Sequence, residues 1–435
     1  MRRRALVVGL GRSGRAAALL LARRGWRVIA VDAGPADAPE LEAEGVEVRA
    51  PHEGPVPGVG LVVKSPGVPG EDAAVAAARA AGVPVWSEIE LAARELPNPL
   101  IGITGTNGKT TTTELTAHLL RAAGTPAAAC GNQGTPLAGL VDAADPAAWL
   151  VVECSSFQLE DVHRFRPRAA ALLNLAPDHL DRHGSLEAYR AAKLRLFAAQ
   201  EPGDLAILPP GMEATGAAPA RRVYDGPAGP DAAAWAEGGL HVAGLGRVIS
   251  WDDVPLRGRH NRENAMAAAA LAAHAGAGAD ALAAGLRTFR AVPHRLEPVG
   301  SADGVRFVNV SRATNPDAAI AALDAYPAGV HLIAGGRAKG TAFDALAAAA
   351  RAAVVRAYTV GEAGPEVAEA MRRAGVPAEE CRTLEAAVAA AAARARPGET
   401  VLLAPACASF DQFSGYEERG EAFRAAARAA GARAA

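Results

Sequence analysis

Short apolar runs recur along the chain, each closed by a glycine or polar turn and most followed by an Ala-rich stretch of helical length. Residues 4–32 read as strand, glycine turn, helix and strand. Arg4-Ala-Leu-Val-Val leads into Gly9-Leu10-Gly11-Arg12-Ser13-Gly14, a helix runs to Gly25, and Arg27-Val-Ile-Ala-Val ends in Asp32. Gly25 suits the left-handed position that closes a helix. Gly60-Leu-Val-Val-Lys64 before Ser65-Pro66-Gly67, and then Val83-Pro-Val-Trp86, extend this into a small doubly wound α/β unit. Leu96-Pro97-Asn98-Pro99 reads as a linker, because two prolines restrict both helix and central strand. A second α/β unit opens with Leu100-Ile-Gly-Ile-Thr104 and has strands at Trp149–Glu153 and Ala170–Asn174 and helices near 186–199 and 261–275. Its 209–258 stretch, rich in Gly, Pro and Ala, predicts short strands and loops. A third unit starts near Val292-Pro293, with strands at Val305–Asn309, Val330–Ala334, Ala357–Val360 and Thr400–Leu403. The expectation is three α/β domains in series: 1–96, 97–292 and 293–435.

Composition narrows the class. At 435 residues, two to three domains are expected, and half the residues are hydrophobic, as in a globular protein. A formal net charge of −2 leaves no electrostatic footprint for nucleic acid or an anionic membrane. Cys130, Cys154, Cys381 and Cys407 show no C-x-x-C spacing, which fits a reducing compartment. Met1-Arg2-Arg3-Arg4 followed by an apolar run breaks at Gly9 and Gly11, short of a secretory signal, and no apolar stretch is long enough to span a bilayer. A soluble, cytoplasmic, monomeric protein is expected.

Two glycine turns carry candidate chemistry. Gly9, Gly11 and Gly14 fit G-x-G-x-x-G between a strand and a helix, where exposed N–H groups can meet a pyrophosphate, and Asp32 could bind a ribose. Alone, this suits a nicotinamide dinucleotide, another nucleotide, or a turn with no ligand. Downstream, Gly102-Ile103-Thr104-Gly105-Thr106-Asn107-Gly108-Lys109-Thr110 also joins a strand to a helix. Ile103 occupies the first glycine position of a strict phosphate loop, but Lys109 for the β/γ-phosphates and Thr110 for Mg²⁺ remain. Glu153 ends an apolar strand, where a carboxylate could hold the metal. The bland reading is a surface lysine. This second loop demotes the dinucleotide, since a nucleotide-sugar pyrophosphate would satisfy the first turn equally well.

Gly105-Thr-Asn-Gly-Lys-Thr110 resembles the Mur ligase and folylpolyglutamate synthase superfamily, and further strings resemble its D-glutamate-adding branch. These are Gly131-Asn132-Gln133-Gly134-Thr135-Pro136, Glu153-Cys154-Ser155-Ser156-Phe157-Gln158-Leu159-Glu160, and Pro405-Ala-Cys-Ala-Ser409-Phe410-Asp-Gln-Phe413 with Arg419-Gly420 beyond. The motifs extend from Gly9 to Phe423. The resemblance implies an α/β fold with a Rossmann-like N-terminal domain, a P-loop ATPase-type central domain and a Rossmann-like C-terminal domain. It implies an enzyme using ATP and two Mg²⁺ sites to join D-glutamate to UDP-N-acetylmuramoyl-L-alanine.

The same resemblance implies site residues. Gly105, Thr106, Asn107, Gly108, Lys109, Thr110 and Thr111 would take ATP, with Asn264 of His260-Asn-Arg-Glu-Asn264 and Arg295 of Pro293-His294-Arg295. Gly9, Leu10, Gly11, Arg12, Ser13, Asp32, Ser65, Gly67, Asn132, Ser155 and Gln158 would take the UDP-sugar; Thr314, Lys339, Ser409, Phe410 and Tyr416 would take D-glutamate. Thr110, Glu153, His179 and a carbamylated Lys193 would hold metal, and Lys109, Glu153, His179 and Lys193 would be catalytic. His179 and His183 also have a zinc-like four-residue spacing, but Leu180 stands where H-E-x-x-H needs Glu. Ser185 is a candidate cap for the next helix. Read without the resemblance, Lys193 is a solvated helix lysine.

The chain departs from the family's N-D-S-K-A-T-N at Val310 and Arg312, and from its G-G-x-D-K-G-x-D-F at Ala338 and Ala342. Losing acids there could change ATP affinity, closure or amino-acid choice. The alternatives are a ligase on the same scaffold for another amino acid such as L-glutamate, a non-catalytic precursor-binding protein, and an NAD oxidoreductase that would leave Lys109 without a role.

Overall fold

The computed structural model describes residues 3–34, 38–50, 57–256, 258–290, 294–340 and 342–433. Met1-Arg2, the Val292-Pro293 start of the third unit and Thr341 lie outside the described residues. The chain divides into two compact units. One comprises residues 1–175, 182–255 and 263–289, and the other residues 176–181, 256–262 and 290–435.

The first unit holds two sheets. Strands β1 (Arg4–Val8), β2 (Arg27–Val31), β3 (Glu47–Arg49), β4 (Leu61–Lys64) and β5 (Val85–Ser87) form a parallel sheet in the order β3-β2-β1-β4-β5. The order reverses between β1 and β4, which opens a crevice beyond their C-terminal ends. The G-x-G-x-x-G turn leaves β1 there and enters α1 (Arg12–Arg23). Gly14 must be glycine, since a Cβ on it would lie 1.8 Å from the Gly9 carbonyl oxygen. This close approach seats α1 on the sheet.

The second sheet has nine strands: β6 (Leu100–Thr104), β7 (Ala127–Gly131), β8 (Trp149–Glu153), β9 (Ala169–Leu172), β10 (Leu205–Ile207), β11 (Ala220–Tyr224), β12 (Ala232–Ala236), β13 (Leu240–Val242) and β14 (Gly246–Ile249). Strands β7-β8-β6-β9-β10-β11-β12 run parallel, and β13 and β14 close the sheet antiparallel. Helix α2 (Lys109–Ala122) follows β6 directly. The helix expected at 186–199 is α3 (Leu186–Leu194), which tightens into a 3₁₀ turn at Arg195–Phe197. Ser185 caps it by accepting from Ala188 N–H at 3.1 Å.

The second unit carries β15 (Glu297–Ala302), β16 (Val305–Asn309), β17 (Val330–Gly335), β18 (Val354–Val360), β19 (Ala378–Arg382) and β20 (Thr400–Leu403), ordered β15-β16-β20-β17-β18-β19. Only β15 is antiparallel to its neighbour. A final helix, α4 (Tyr416–Ala429), packs Phe423 into one face of this sheet.

Sequence periodicity missed β3, β7, β10, β15 and β19. Strand β7 is three alanines, a cysteine and a glycine, and β3 and β19 are charged edge strands with partly exposed residues. The proline linker is anchored: Asn98 is buried and donates to Asp145 O (2.8 Å) and Ala148 O (2.9 Å). One continuous core runs from the first sheet to the second through Leu10, Leu21, Ile89, Leu137 and Phe165, so these two sheets form a single unit. Buried charges fasten the same joint. Lys64 pairs with Glu160 (2.7 Å) and Asp161 (3.3 Å), and Glu90 accepts from the N–H groups of His163, Arg164 and Phe165.

Glu88, fully buried at this joint, accepts from Ala138 N–H at 2.5 Å through Oε1, while Oε2 has no hydrogen-bond partner. Burial pushes its carboxyl up from 4.5 to about 7, and the Ala138 bond only partly opposes this. The folded state therefore keeps a proton that the unfolded chain releases near pH 4.5. Stability falls as pH rises from there towards 7, by roughly 3 kcal/mol in total. We predict that Glu88→Gln narrows the difference in unfolding temperature between pH 5 and pH 8. Thermal scans with the same difference in both proteins would contradict this.

Candidate active site

The phosphate loop is shaped by backbone geometry. Gly105 (φ 149°) and Gly108 (φ 87°) occupy conformations that L side chains rarely adopt, and Gly108 stands just before α2. A Cβ on Gly108 would lie 2.3 Å from Asn264 Oδ1, which places Asn264 directly against the loop. Asn174, just beyond β9, clamps it. Its carbonyl accepts from Thr106 N–H (3.1 Å), its Oδ1 from Asn107 N–H (2.9 Å), and its Nδ2 donates to Asn107 O (3.0 Å). Lys109 folds back so that Nζ donates to Gly105 O and Thr106 O, both at 2.9 Å. Its charge thus lies over the concave side of the turn. Thr111 is buried in the first turn of α2.

Glu153 stands at the end of β8, neighbour to β6, and is 2 % exposed. Thr110 Oγ1 donates to its Oε2 at 2.5 Å, and Asn132 Nδ2 to its Oε1 at 3.0 Å. A hydroxyl and a carboxylate at the mouth of a phosphate loop are hard oxygen donors suited to Mg²⁺, which keeps several waters and takes phosphate oxygens. Among the described residues, no group of three or more His, Cys, Asp and Glu is arranged to hold a metal. A metal here would therefore depend on this donor pair with further oxygen ligands.

Lys193 is buried rather than solvated. Its Nζ donates to Gly105 O (2.9 Å), lies 3.4 Å from Thr104 Oγ1, and sits 4.4 Å from the centre of the Tyr189 ring. Tyr189 in turn reaches Thr106 Oγ1 at 3.4 Å. His183 is a packed side chain: it stacks on Phe157 (5.4 Å) and lies 5.1 Å from Tyr189, with Nε2 2.9 Å from Ser156 Oγ. His179 is not on a helix with it. The helix covers only Leu180–His183, and His179 precedes it with a left-handed backbone (φ 54°), so the zinc-like spacing does not become a shared face.

A cavity of about 420 Å³ occupies the β1/β4 crevice, lined by Gly9, Gly11, Arg12, Ser13, Asp32, Ser65 and Gly67 among others. Leu10 contributes its N–H to Asp32 Oδ2 (2.5 Å), and Gly34 N–H reaches Asp32 Oδ1 (3.1 Å), so the carboxylate braces the turn. Asn132, Ser155 and Gln158 do not line this cavity. They gather near Glu153, where Ser155 and Gln158 form a reciprocal cap on the short helix Ser156–Leu159.

In the second unit, the sequence-predicted residues follow the C-terminal ends of β16, β17 and β20. Thr314 lies beyond β16, Lys339 beyond β17, and Ser409 and Phe410 beyond β20. Tyr416 opens α4. Ser409 is buried, Phe410 is 64 % exposed, and Lys339 Nζ lies 3.7 Å from Asp178 Oδ1. Asn315 Nδ2 also donates to Asp178, at 3.1 Å. Arg295 lies close enough to add to the effect of burial on His260, which is pushed down to about 4 and is neutral at pH 7. Of the departures, Val310 packs in the core, Ala338 lies against it, and Arg312 sits over the Tyr416 ring at 5.0 Å.

Sequence reasoning assigned no role to Asn174, Asp178 or Arg419. Arg419 is buried and ties two loops together. Nε donates to Ser311 Oγ, Nη2 to Ser311 O, and Nη1 to the carbonyls of Cys407 and Ala408. Burial lowers its pKa to about 10, so it stays charged at neutral pH. Arg419 stands inside a quoted string and Asn174 ends a predicted strand, but no spacing rule reveals which polar residue turns inward.

Comparisons with known proteins agree with this architecture. The Mur ligase middle domain matches residues 103–272, and the Mur ligase glutamate ligase domain matches residues 294–407. The UDP-N-acetylmuramoylalanine--D-glutamate ligase of Solibacter usitatus is 45 % identical, over 97 % of this chain and 96 % of its own. That of Anaeromyxobacter dehalogenans is 46 % identical over 97 % and 96 %. The solved UDP-N-acetylmuramate-alanine ligase of Thermotoga maritima shares the fold, with a TM-score of 0.61 at 18 % identity over 98 % of this chain and 99 % of that one. MurF from Acinetobacter baumannii has the same TM-score at 17 % identity, over 92 % and 90 %. With near-full-length identity above two-fifths to such relatives and both domains matched in order, the chain belongs to the Mur ligase family.

Proposed function

We propose that this protein joins D-glutamate to UDP-N-acetylmuramoyl-L-alanine through an acyl-phosphate, with release of ADP and phosphate. The observation that carries the reading is the phosphate loop with Lys109 folded over it and the Thr110–Glu153 pair at its mouth, in a chain nearly co-extensive with relatives named for this reaction. The proposed domains are 1–96 for the nucleotide sugar, 97–292 for ATP and 293–435 for the amino acid.

The chemical problem is repulsion between two anions. The substrate carboxylate must attack the γ-phosphorus, and the bond from that phosphorus to the departing ADP oxygen must break. Lys109 and the N-terminal end of α2 offset charge on the phosphates, by placement more than by bond-making. Mg²⁺, when bound, supplies further positive charge. Thr110 and Glu153 would hold one ion, and His179 with carbamylated Lys193 a second. The amine of D-glutamate then attacks the acyl carbon, loses its proton, and phosphate leaves with one former carboxylate oxygen. The cavity at Gly9–Ser13 and Ser65–Gly67 takes the nucleotide sugar. Asn264 and Arg295 serve ATP, and Thr314, Lys339, Ser409, Phe410 and Tyr416 serve the dicarboxylate with cation and hydroxyl donors. The enzyme acts as a cytoplasmic monomer. Among the described residues, no helix is long and apolar enough to cross a membrane.

A second reading, another amino acid such as L-glutamate, is favoured by Val310 and Ala338, which place apolar groups where the family carries acids. Phosphate release measured with the muramoyl-alanine nucleotide, ATP and a panel of amino acids separates the two. D-glutamate is expected to give the highest rate, and Lys109→Ala no detectable rate. Turnover highest with another amino acid would favour the second reading; no turnover with any would leave a binding protein.

Carbamylation of Lys193 needs a neutral amine and CO₂. NMR of protein equilibrated with ¹³C-bicarbonate is expected to show a carbamate signal that Lys193→Arg lacks. An identical spectrum from both proteins would remove Lys193 from the metal set.

A further inference from the structure

Arg182 belongs to none of the substrate groups above, yet it touches two segments that carry nucleotide-sugar residues. Its Nη1 donates to Pro66 O (3.0 Å) and its Nη2 to Val68 O (2.5 Å), on the loop whose residues 65–69 line the first-sheet cavity. Its guanidinium lies over the Phe157 ring at 4.2 Å, and Nη2 is 3.6 Å from Glu160 Oε2. Phe157 and Glu160 stand on the segment that carries Ser155 and Gln158.

The loop after β4 has few other attachments. Pro66 and Pro69 have no N–H, Ser65 Oγ donates to Gly9 O (2.8 Å), and Val68 N–H closes a turn on Ser65 O (3.0 Å). These bonds hold the loop to its own sheet. Arg182 and buried Lys64 fasten it to the second sheet, and both converge on Glu160. Only a planar guanidinium can donate to two carbonyls, lie flat on a ring and face a carboxylate at once. Beyond Phe157 the packing continues through His183 and Tyr189 to Lys193 and Thr106 of the phosphate loop.

We infer that Arg182 is a positioning residue for the nucleotide-sugar substrate: it fixes the Ser65–Pro69 wall against the Ser155–Glu160 segment, so the two groups of binding residues keep one spacing. This rests on the reading of the cavity as the nucleotide-sugar site. Losing it would leave each half-site intact but let their separation drift, which weakens a ligand that must span both. The residues assigned to ATP and D-glutamate lie outside the wall.

The test compares wild type with Arg182→Met and Arg182→Lys by calorimetric binding of UDP-N-acetylmuramoyl-L-alanine and by steady-state kinetics. Arg182→Met is expected to raise Kd and KM for the nucleotide sugar about ten- to a hundredfold, as for loss of paired charged hydrogen bonds. KM for ATP and for D-glutamate should stay within about twofold. Arg182→Lys keeps a charge beside Glu160 but not the double donation, so it should fall between. A purely structural role would lower the unfolding temperature and the active fraction while leaving every KM unmoved; that result, or equal loosening for all three substrates, overturns the inference. Should Arg182→Met fail to fold, the Arg182→Lys values decide, and an unchanged nucleotide-sugar KM there overturns it. A wild type that neither binds nor uses this nucleotide sugar would sink the functional reading itself, a failure distinct from wild-type turnover with insensitive variants.

Discussion

Everything in the active site depends on a backbone turn held open against its own preferences. Residues 105–108 keep one shape because Gly105 and Gly108 adopt positive-φ conformations and Asn174 bonds the Thr106 and Asn107 backbone between them. An unheld turn of this kind would sample many shapes, and each would move Lys109 and Thr110 relative to Glu153. Preorganisation matters because the reaction joins two negatively charged partners, and donors that must rearrange during the reaction stabilise charge poorly. Lys109 is folded over the same turn, and Glu153 is fixed from two sides by Thr110 and Asn132. The site is thus a rigid electrostatic mould built at the C-terminal edge of β6 and β8.

The joint between the first two sheets extends that rigidity to the first-sheet cavity. A shared apolar core supplies the bulk, and specific charges supply the register: buried Lys64 between Glu160 and Asp161, buried Glu90 under three backbone N–H groups, half-buried Arg182 across two carbonyls. Buried ion pairs contribute little net stability compared with apolar packing. Their directionality is what an apolar contact lacks. Glu88 marks the cost of such a joint, a carboxyl with one oxygen left without a partner in the interior.

The motif-bearing turns were legible in the sequence because their geometry allows so few residues. Gly14 cannot carry a Cβ beside the Gly9 carbonyl, and Gly108 cannot carry one beside Asn264. The strands that bear these turns were legible as apolar runs, since both faces of a parallel sheet are covered. Other elements left no periodic signal. Strand β7 is alanine-rich, and β19 carries charged residues at a sheet edge. Long-range polar partnerships were not legible at all. Nothing in the string Asp181-Arg182-His183 distinguishes an arginine that reaches back more than a hundred residues to Pro66 from one in solvent. Lys193 shows the same limit: its burial follows from tertiary packing, and helix pattern alone assigned it to the surface.

The central claim is that a substrate carboxylate captures the terminal phosphate of ATP before the amine attacks. Labelling that carboxylate of UDP-N-acetylmuramoyl-L-alanine with ¹⁸O and analysing the products by mass spectrometry tests it directly. One labelled oxygen in each inorganic phosphate released, with none in ADP, is the predicted outcome. Phosphate free of label, with both labelled oxygens absent from it at full turnover, would contradict the account.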